Sequence, residues 1–109
     1  MRVGAVLVDI RSDNQRARDG TVPGAYFVSR NVLEWRMDPA CPHRDPSLAR
    51  PEARQVLICN EGYQSSLAAA TLQQCGLRHA TDVIGGFQAW RAAGLPVLRP
   101  GPRRILASN

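Results

Sequence analysis

Two kinds of stretch alternate along this chain. Val3–Ile10 and Gln55–Cys59 are short and nearly continuous in apolar residues, the pattern of strands buried on both faces of a parallel sheet. Ala25–Val28 and Thr81–Ile84 read as two more short strands. Helical segments are expected between them, at Asp13–Arg18, Val32–Met37, about Ser66–Cys75 and Gly86–Ala93. Asp19-Gly20 ends the first of these, while Gly94 and Pro96 end the last. The stretch Asp38–Pro51 carries four prolines, too many for regular structure, and is expected to be a surface loop. Strands alternating with helices predict an α/β fold, its mostly parallel sheet flanked by helices. The chain has 109 residues and no internal repeats, which sets one domain, here residues 1–98. A basic Pro/Arg tail follows over 99–109, expected to lie on the surface or fray.

The chemistry concentrates in Gln55–Cys75. The run Val56-Leu57-Ile58 delivers Cys59 at the C-terminal end of a strand. A polar loop with one glycine follows, Asn60-Glu61-Gly62-Tyr63-Gln64, and then Ser65 or Ser66 is expected to cap a helix. A cysteine beneath a helix N-terminus, inside a curl of backbone N–H groups, is a place where negative charge on sulfur is stabilised. Cys59 is therefore the candidate nucleophile. The amides of Asn60 to Ser65 would steady its charge, Gly62 would supply the unusual φ, and the Ser65 and Ser66 hydroxyls would donate to a sulfur-bound group.

Counting removes several uses of such a loop. A cysteine phosphatase needs arginine six positions after its cysteine, and Ser65 stands there. A disulfide oxidoreductase needs C-x-x-C, and Gly62 occupies the second cysteine's place. A P-loop needs Gly-Lys-Ser/Thr, and the chain has no lysine. Sulfur transfer through a persulfide fits what remains.

Four segments resemble the single-domain rhodaneses, the thiosulfate sulfurtransferase family. Leu7-Val8-Asp9-Ile10-Arg11 resembles a strand ending in Asp-x-Arg. Gly20-Thr21-Val22-Pro23-Gly24-Ala25 resembles the family's Gly-His-Ile-Pro-Gly-Ala turn, with threonine for histidine. Cys59 to Ser65 is similar to the active loop and the serine after it, and Gly85-Gly86-Phe87-Gln88-Ala89-Trp90 with Gly94-Leu95-Pro96-Val97 to the C-terminal signature. The order and spacing agree over roughly residues 5 to 98. The resemblance implies a rhodanese-like three-layer domain. It also implies a sulfurtransferase that moves a sulfane sulfur from thiosulfate or a persulfide to a thiol or cyanide-like acceptor, or to a protein acceptor, without a cofactor. The alternative is a catalytically weak binding or redox-sensing module. Family loops often carry arginine where Gln64 stands, and a basic residue where Asn60 stands. Asp9 lies eight residues after the start of the chain, so the strand and helix that precede this motif in the family are expected to be shortened.

Composition narrows the partners. The net charge of +5 comes entirely from scattered arginines, with only Arg103-Arg104 adjoining. That is not the clustered basic face with interleaved aromatics that nucleic acid requires. No apolar run reaches the roughly 20 residues a membrane span needs, and the opening residues are not expected to form a signal-peptide h-region. Three cysteines outside any disulfide framework point to a reducing cytoplasm. Arg11 is a candidate for attracting an anionic donor, or else for an ion pair or hydrogen bonds that brace neighbouring loops, the role expected of Asp9. Cys41 and His43 lack further ligands for a metal site, and Cys75, near a helix C-terminus, is expected to be structural. His79 is expected on the surface, Trp90 over the core, and Trp35 in the core or walling the pocket.

Overall fold

A computed structural model describes residues 5–98 of the chain. Val3, Gly4 and the tail from Arg99 lie outside the described residues. Four strands form one sheet: β1 (Ala5–Asp9), β2 (Tyr26–Phe27), β3 (Arg54–Ile58) and β4 (Thr81–Asp82). Their order is β2-β1-β3-β4 and every pair is parallel. The connections carry α1 (Asp13–Asp19), α2 (Leu33–Met37) and α3 (Tyr63–Gln74), and α4 (Gly86–Ala92) follows the last strand. A turn of 3-10 helix at Arg30–Val32 leads into α2.

Side chains alternate across the two central strands, as the pleat dictates. Val6 and Val8 from β1, then Ile10, share one face with Leu57 and Cys59. Ala68, Ala69 and Leu72 of α3 and Leu33 and Met37 of α2 cover that face. Leu7 and Ile58 point the other way, onto Phe87 of α4, with Val22, Trp90 and Val97 around them. The three layers expected from the resemblance are thus sheet, an α2/α3 side and an α4 side. Strand alternation places Cys59 on the α3 side, under that helix.

The two edge strands are shorter than expected. β2 keeps only Tyr26 and Phe27, both exposed, and β4 stops at Asp82. After the N–H of Val83 donates to the Leu57 carbonyl (2.9 Å), the chain turns through Gly85 and Gly86, leaving Ile84 90% exposed. The stretch Asp38–Pro51 is irregular, as expected, yet it is not merely superficial: Leu48 and Ala49 are buried. Gln55 holds it, donating from its buried amide to the carbonyls of Leu48 (3.0 Å) and Arg50 (2.8 Å). Trp35 is neither core nor pocket wall. It is half exposed and packs against His43, with ring centroids 5.1 Å apart and the planes tilted by 45°.

Asp19 joins α1 to α4. Arg18 hydrogen-bonds its carboxylate most strongly, and Gln88 and Arg91 add to this, holding its pKa at about 2 against partial burial. The folded value is depressed, so its contribution to stability is full above the ordinary carboxylate range and is lost as pH falls through about 2. Urea unfolding of Asp19→Asn beside the parent protein at descending pH should therefore show the two curves converging between about pH 4 and 2. Curves that stay parallel would remove Asp19 from the acid response.

Candidate active site

Cys59 follows β3 directly and is 4% exposed. Its sulfur accepts the N–H of Gly62 (3.0 Å) and the N–H of Ser65 (3.3 Å), while its thiol donates to Ser65 Oγ (3.3 Å). Of the six amides expected to ring the sulfur, these two donate to it. The expected serine cap is not what starts α3. The helix begins at Tyr63 with Gly62 as its N-cap, left-handed at φ 96°, and Gly62 has no side chain to accept a bond. Ser65 is then the third residue of the helix, the one whose N–H a capping side chain ordinarily serves. Here the cysteine sulfur fills that role, which seats it on the positive end of the helix.

The loop is clamped from α4. Phe87 N–H donates to the Cys59 carbonyl (2.7 Å), Gln88 N–H to the Asn60 carbonyl (3.1 Å), and the Gln88 side-chain amide to Asn60 Oδ1 (2.9 Å). This contact needs Gly86, because a Cβ there would lie 2.5 Å from the Cys59 carbonyl oxygen and 2.7 Å from Gly62 N. The Gly85-Gly86 pair thus serves close packing of α4 on the loop.

Cys59 opens into a hollow of about 160 Å³ lined by Gln15, Asn60, Glu61, Tyr63 and Gln64. It is smaller than pockets for drug-sized ligands and suits a molecule with a few heavy atoms. Gln15 comes from α1, where it also completes a capping box with Ser12. A second hollow of about 380 Å³ flanks the loop, lined by Glu61, Gly62, Tyr63, Ser66, Asp82, Ile84 and Gly85. Among the described residues, the charged ones lining the two hollows are Glu61 and Asp82, both acidic.

Two candidate residues for binding the donor lie away from the sulfur. Arg11 does not reach either hollow. Its guanidinium is buried, grips Asp9 at 2.8–3.2 Å, donates to the Gly20 carbonyl (2.7 Å) and stacks on Phe87 (3.9 Å). Ser66 lines the second hollow, but its hydroxyl donates back to the Tyr63 carbonyl (3.1 Å), leaving Ser65 as the serine at the sulfur. Gln64 and Tyr63 are exposed at the mouth, and Glu61, also exposed, lines both hollows. Cys75, at the C-terminal end of α3, has its thiol pKa pushed up by burial and by the Asp38 and Glu34 carboxylates. The sequence reading missed Gln15 and Asp82. Asp82 ends a parallel strand, the edge where α/β folds place their sites; Gln15 carries no comparable signal.

A family model for the rhodanese-like domain matches residues 1–93. The chain belongs to this family. Its relatives by sequence include a sulfurtransferase of Allochromatium vinosum, 32% identical over 95 residues, covering 87% of this chain and 79% of the relative. They also include the thiosulfate sulfurtransferase GlpE of Haemophilus influenzae, 31% identical over 98 residues, with coverage of 89% and 83%. Among solved structures, a Rhodopseudomonas palustris protein of unknown function, described as a possible tyrosine phosphatase, superposes with a TM-score of 0.81 at 39% identity. That match spans 87% of this chain and 71% of the other. Within this rhodanese-like domain, the loop from Cys59 to Ser65 combines a buried sulfur, two amide donors and a small open hollow. No described helix is long and apolar enough to cross a membrane.

Proposed function

We propose that this rhodanese-like domain is a sulfurtransferase carrying a sulfane sulfur on Cys59. The observation that carries this reading is the sulfur itself, held by the Gly62 and Ser65 amides at the start of α3. The Cys59 thiolate attacks the outer sulfur of a donor. A new S–S bond forms, the donor's own bond to that sulfur breaks, and sulfite or a thiolate leaves with the electron pair. An acceptor thiolate then attacks the terminal sulfur of the persulfide and Cys59 departs as thiolate, so the kinetics are ping-pong. The amides steady each anion in turn. A small thiol or cyanide-like molecule, or a protein thiol, is the proposed acceptor, and a reducing cytoplasm keeps Cys59 free. Incubation with a donor followed by intact mass spectrometry should add the mass of one sulfur atom to the protein and none to Cys59→Ser. No added sulfur from any donor would leave the second reading, a module that docks a partner or senses oxidants through Cys59. That reading draws on the lack of a cationic side chain among the described residues lining either hollow. Phosphate-ester chemistry is disfavoured by Ser65 standing where the phosphatase arginine belongs.

The same lining sets the donor. Gln64 offers a neutral amide to a dianion such as thiosulfate. A charge pair about 4 Å apart at an effective dielectric near 20 is worth roughly 4 kcal/mol before desolvation and entropy. About 1–2 kcal/mol survives, or roughly tenfold in binding. Thiosulfate is therefore expected to be a poor donor with a high KM, and a thiol-borne persulfide a better one. Gln64→Arg should lower the KM for thiosulfate by about tenfold with little change in kcat, because the attraction acts on bound donor and transition state alike. Unchanged thiosulfate kinetics would show that Gln64 does not face the donor.

A further inference from the structure

The Ser65 hydroxyl faces two acceptors besides the sulfur, the Gly62 carbonyl (3.4 Å) and the Asp82 carboxylate, and the carboxylate is the nearer and the charged one. Cys59 donates to Ser65 Oγ (3.3 Å), and the Ser65 hydroxyl donates to Asp82 Oδ2 (3.1 Å). A serine has one hydroxyl proton and two lone pairs. While that proton is given to Asp82, the oxygen turns a lone pair toward the sulfur. This suits S–H as donor and works against S⁻. Ser65 is fully buried, so no water replaces the missing donor from its side. The Gly62 and Ser65 amides favour the anion, and the hydroxyl, as long as Asp82 holds it, opposes them. Asp82 also lines the second hollow, beside Glu61, Tyr63 and Ile84.

We propose that Asp82 is a positioning residue that sets the readiness of Cys59 by holding the Ser65 hydroxyl, and that a cationic group entering the second hollow releases it. This rests on the sulfur-transfer reading and names its substrate class: thiol or persulfide carriers bearing an ammonium or guanidinium group next to an apolar portion. The cation pairs with Asp82, Ser65 rotates its proton onto the sulfur, and the Cys59 thiol proton leaves to solvent. The apolar portion rests on Tyr63 and Ile84, which are 78% and 90% exposed. Carriers with a carboxylate or sulfonate meet Glu61 and Asp82 and are disfavoured.

Methanethiosulfonates test this without any sulfur donor. The Cys59 thiolate attacks the sulfenyl sulfur, the bond to the sulfonyl group breaks, methanesulfinate leaves and a mixed disulfide forms. The probes are the methyl, aminoethyl and sulfonatoethyl reagents, applied to a protein carrying Cys41→Ser and Cys75→Ser. The aminoethyl reagent should react fastest and the sulfonatoethyl reagent slowest. Asp82→Asn should raise the methyl rate about tenfold, the worth of one charge-assisted hydrogen bond, and remove most of the aminoethyl advantage. In a Ser65→Ala background, Asp82→Asn should change the methyl rate by less than about twofold, since no hydroxyl remains to release. The proposal is overturned if Asp82→Asn leaves the methyl rate unchanged or lowers it, or if its effect persists in full without the Ser65 hydroxyl. It is overturned for the cationic class if the aminoethyl reagent has no advantage over the methyl one. Asp82→Ser serves in the same design should Asp82→Asn fail to fold. A protein that gives the expected rates but takes up no sulfur keeps this coupling and loses only the transferase reading.

Discussion

Gly62→Val should abolish sulfur loading of Cys59 and cost about 1–3 kcal/mol of stability. Gly62 has φ 96°, a region closed to β-branched side chains. A Cβ at this position would also lie 2.8 Å from Gly85 N and 3.1 Å from Gly85 Cα, both backbone atoms that cannot swing aside. The loop must rotate to relieve the clash, and the Gly62 N–H then leaves the sulfur it now approaches at 3.0 Å. Because Gly62 is also the cap of α3, the Ser65 N–H moves with it. Mass spectrometry after incubation with a persulfide, together with urea unfolding, measures both effects. Gly24→Ala is the control for positive φ alone, since its φ is 79° with nothing within 4 Å of the new Cβ. Wild-type loading in Gly62→Val would mean that the two amides do not hold the reacting sulfur.

Arg11→Met should cost about 3–5 kcal/mol, the range for breaking one side of a buried ion pair. For a domain of this size that is a large share of a total near 5–15 kcal/mol. Asp9 is 2% exposed and its carboxylate accepts from the Arg11 backbone N–H (2.9 Å) and from Nε and Nη2. Removing the guanidinium leaves a buried carboxylate without a counter-charge. The Gly20 carbonyl loses its donor too, so the turn after α1 loosens. Asp9→Asn added to Arg11→Met should recover part of the loss, because the orphaned charge is gone. Urea unfolding of the single and double variants measures this. A fully stable Arg11→Met with a raised KM for thiosulfate would return Arg11 to the role of donor attraction.

These two cases mark what could and could not be read from the residues in line. Cys59 and its loop were legible because strand, polar turn and helix formers stand next to one another, and neighbours in sequence are neighbours here. Arg11 stayed open between donor attraction and an ion pair because a sequence states a charge but not its direction; the packed structure shows the pair with Asp9, and Phe87, from the other end of the chain, under its guanidinium. The start of α3 was placed three residues late. Serine advertises itself as a cap, whereas Gly62 has no side chain to accept and the accepting atom is the sulfur of Cys59, three residues before it. Asp82 and Gln15 were missed because each reaches the site through tertiary packing, from β4 and α1. Leu48 and Ala49 hid inside a proline-rich segment whose burial depends on the Gln55 amide, and no local pattern announces that bond.

The sheet has a kinetic consequence. Every strand pair is parallel and the central pair joins Ala5 to Arg54 and Asp9 to Ile58, so no local hairpin can nucleate it. Folding must close a long loop before that pairing is rewarded, which places such a domain among the slower small folders. On a ribosome the apolar β1 emerges early and waits for β3, which ends one residue before the nucleophile. The sulfur nest needs Gly62 and Ser65 as well, so it cannot form before the chain beyond β3 is present. Until then Cys59 is an ordinary thiol on an open chain, without the amides or the carboxylate that later govern it.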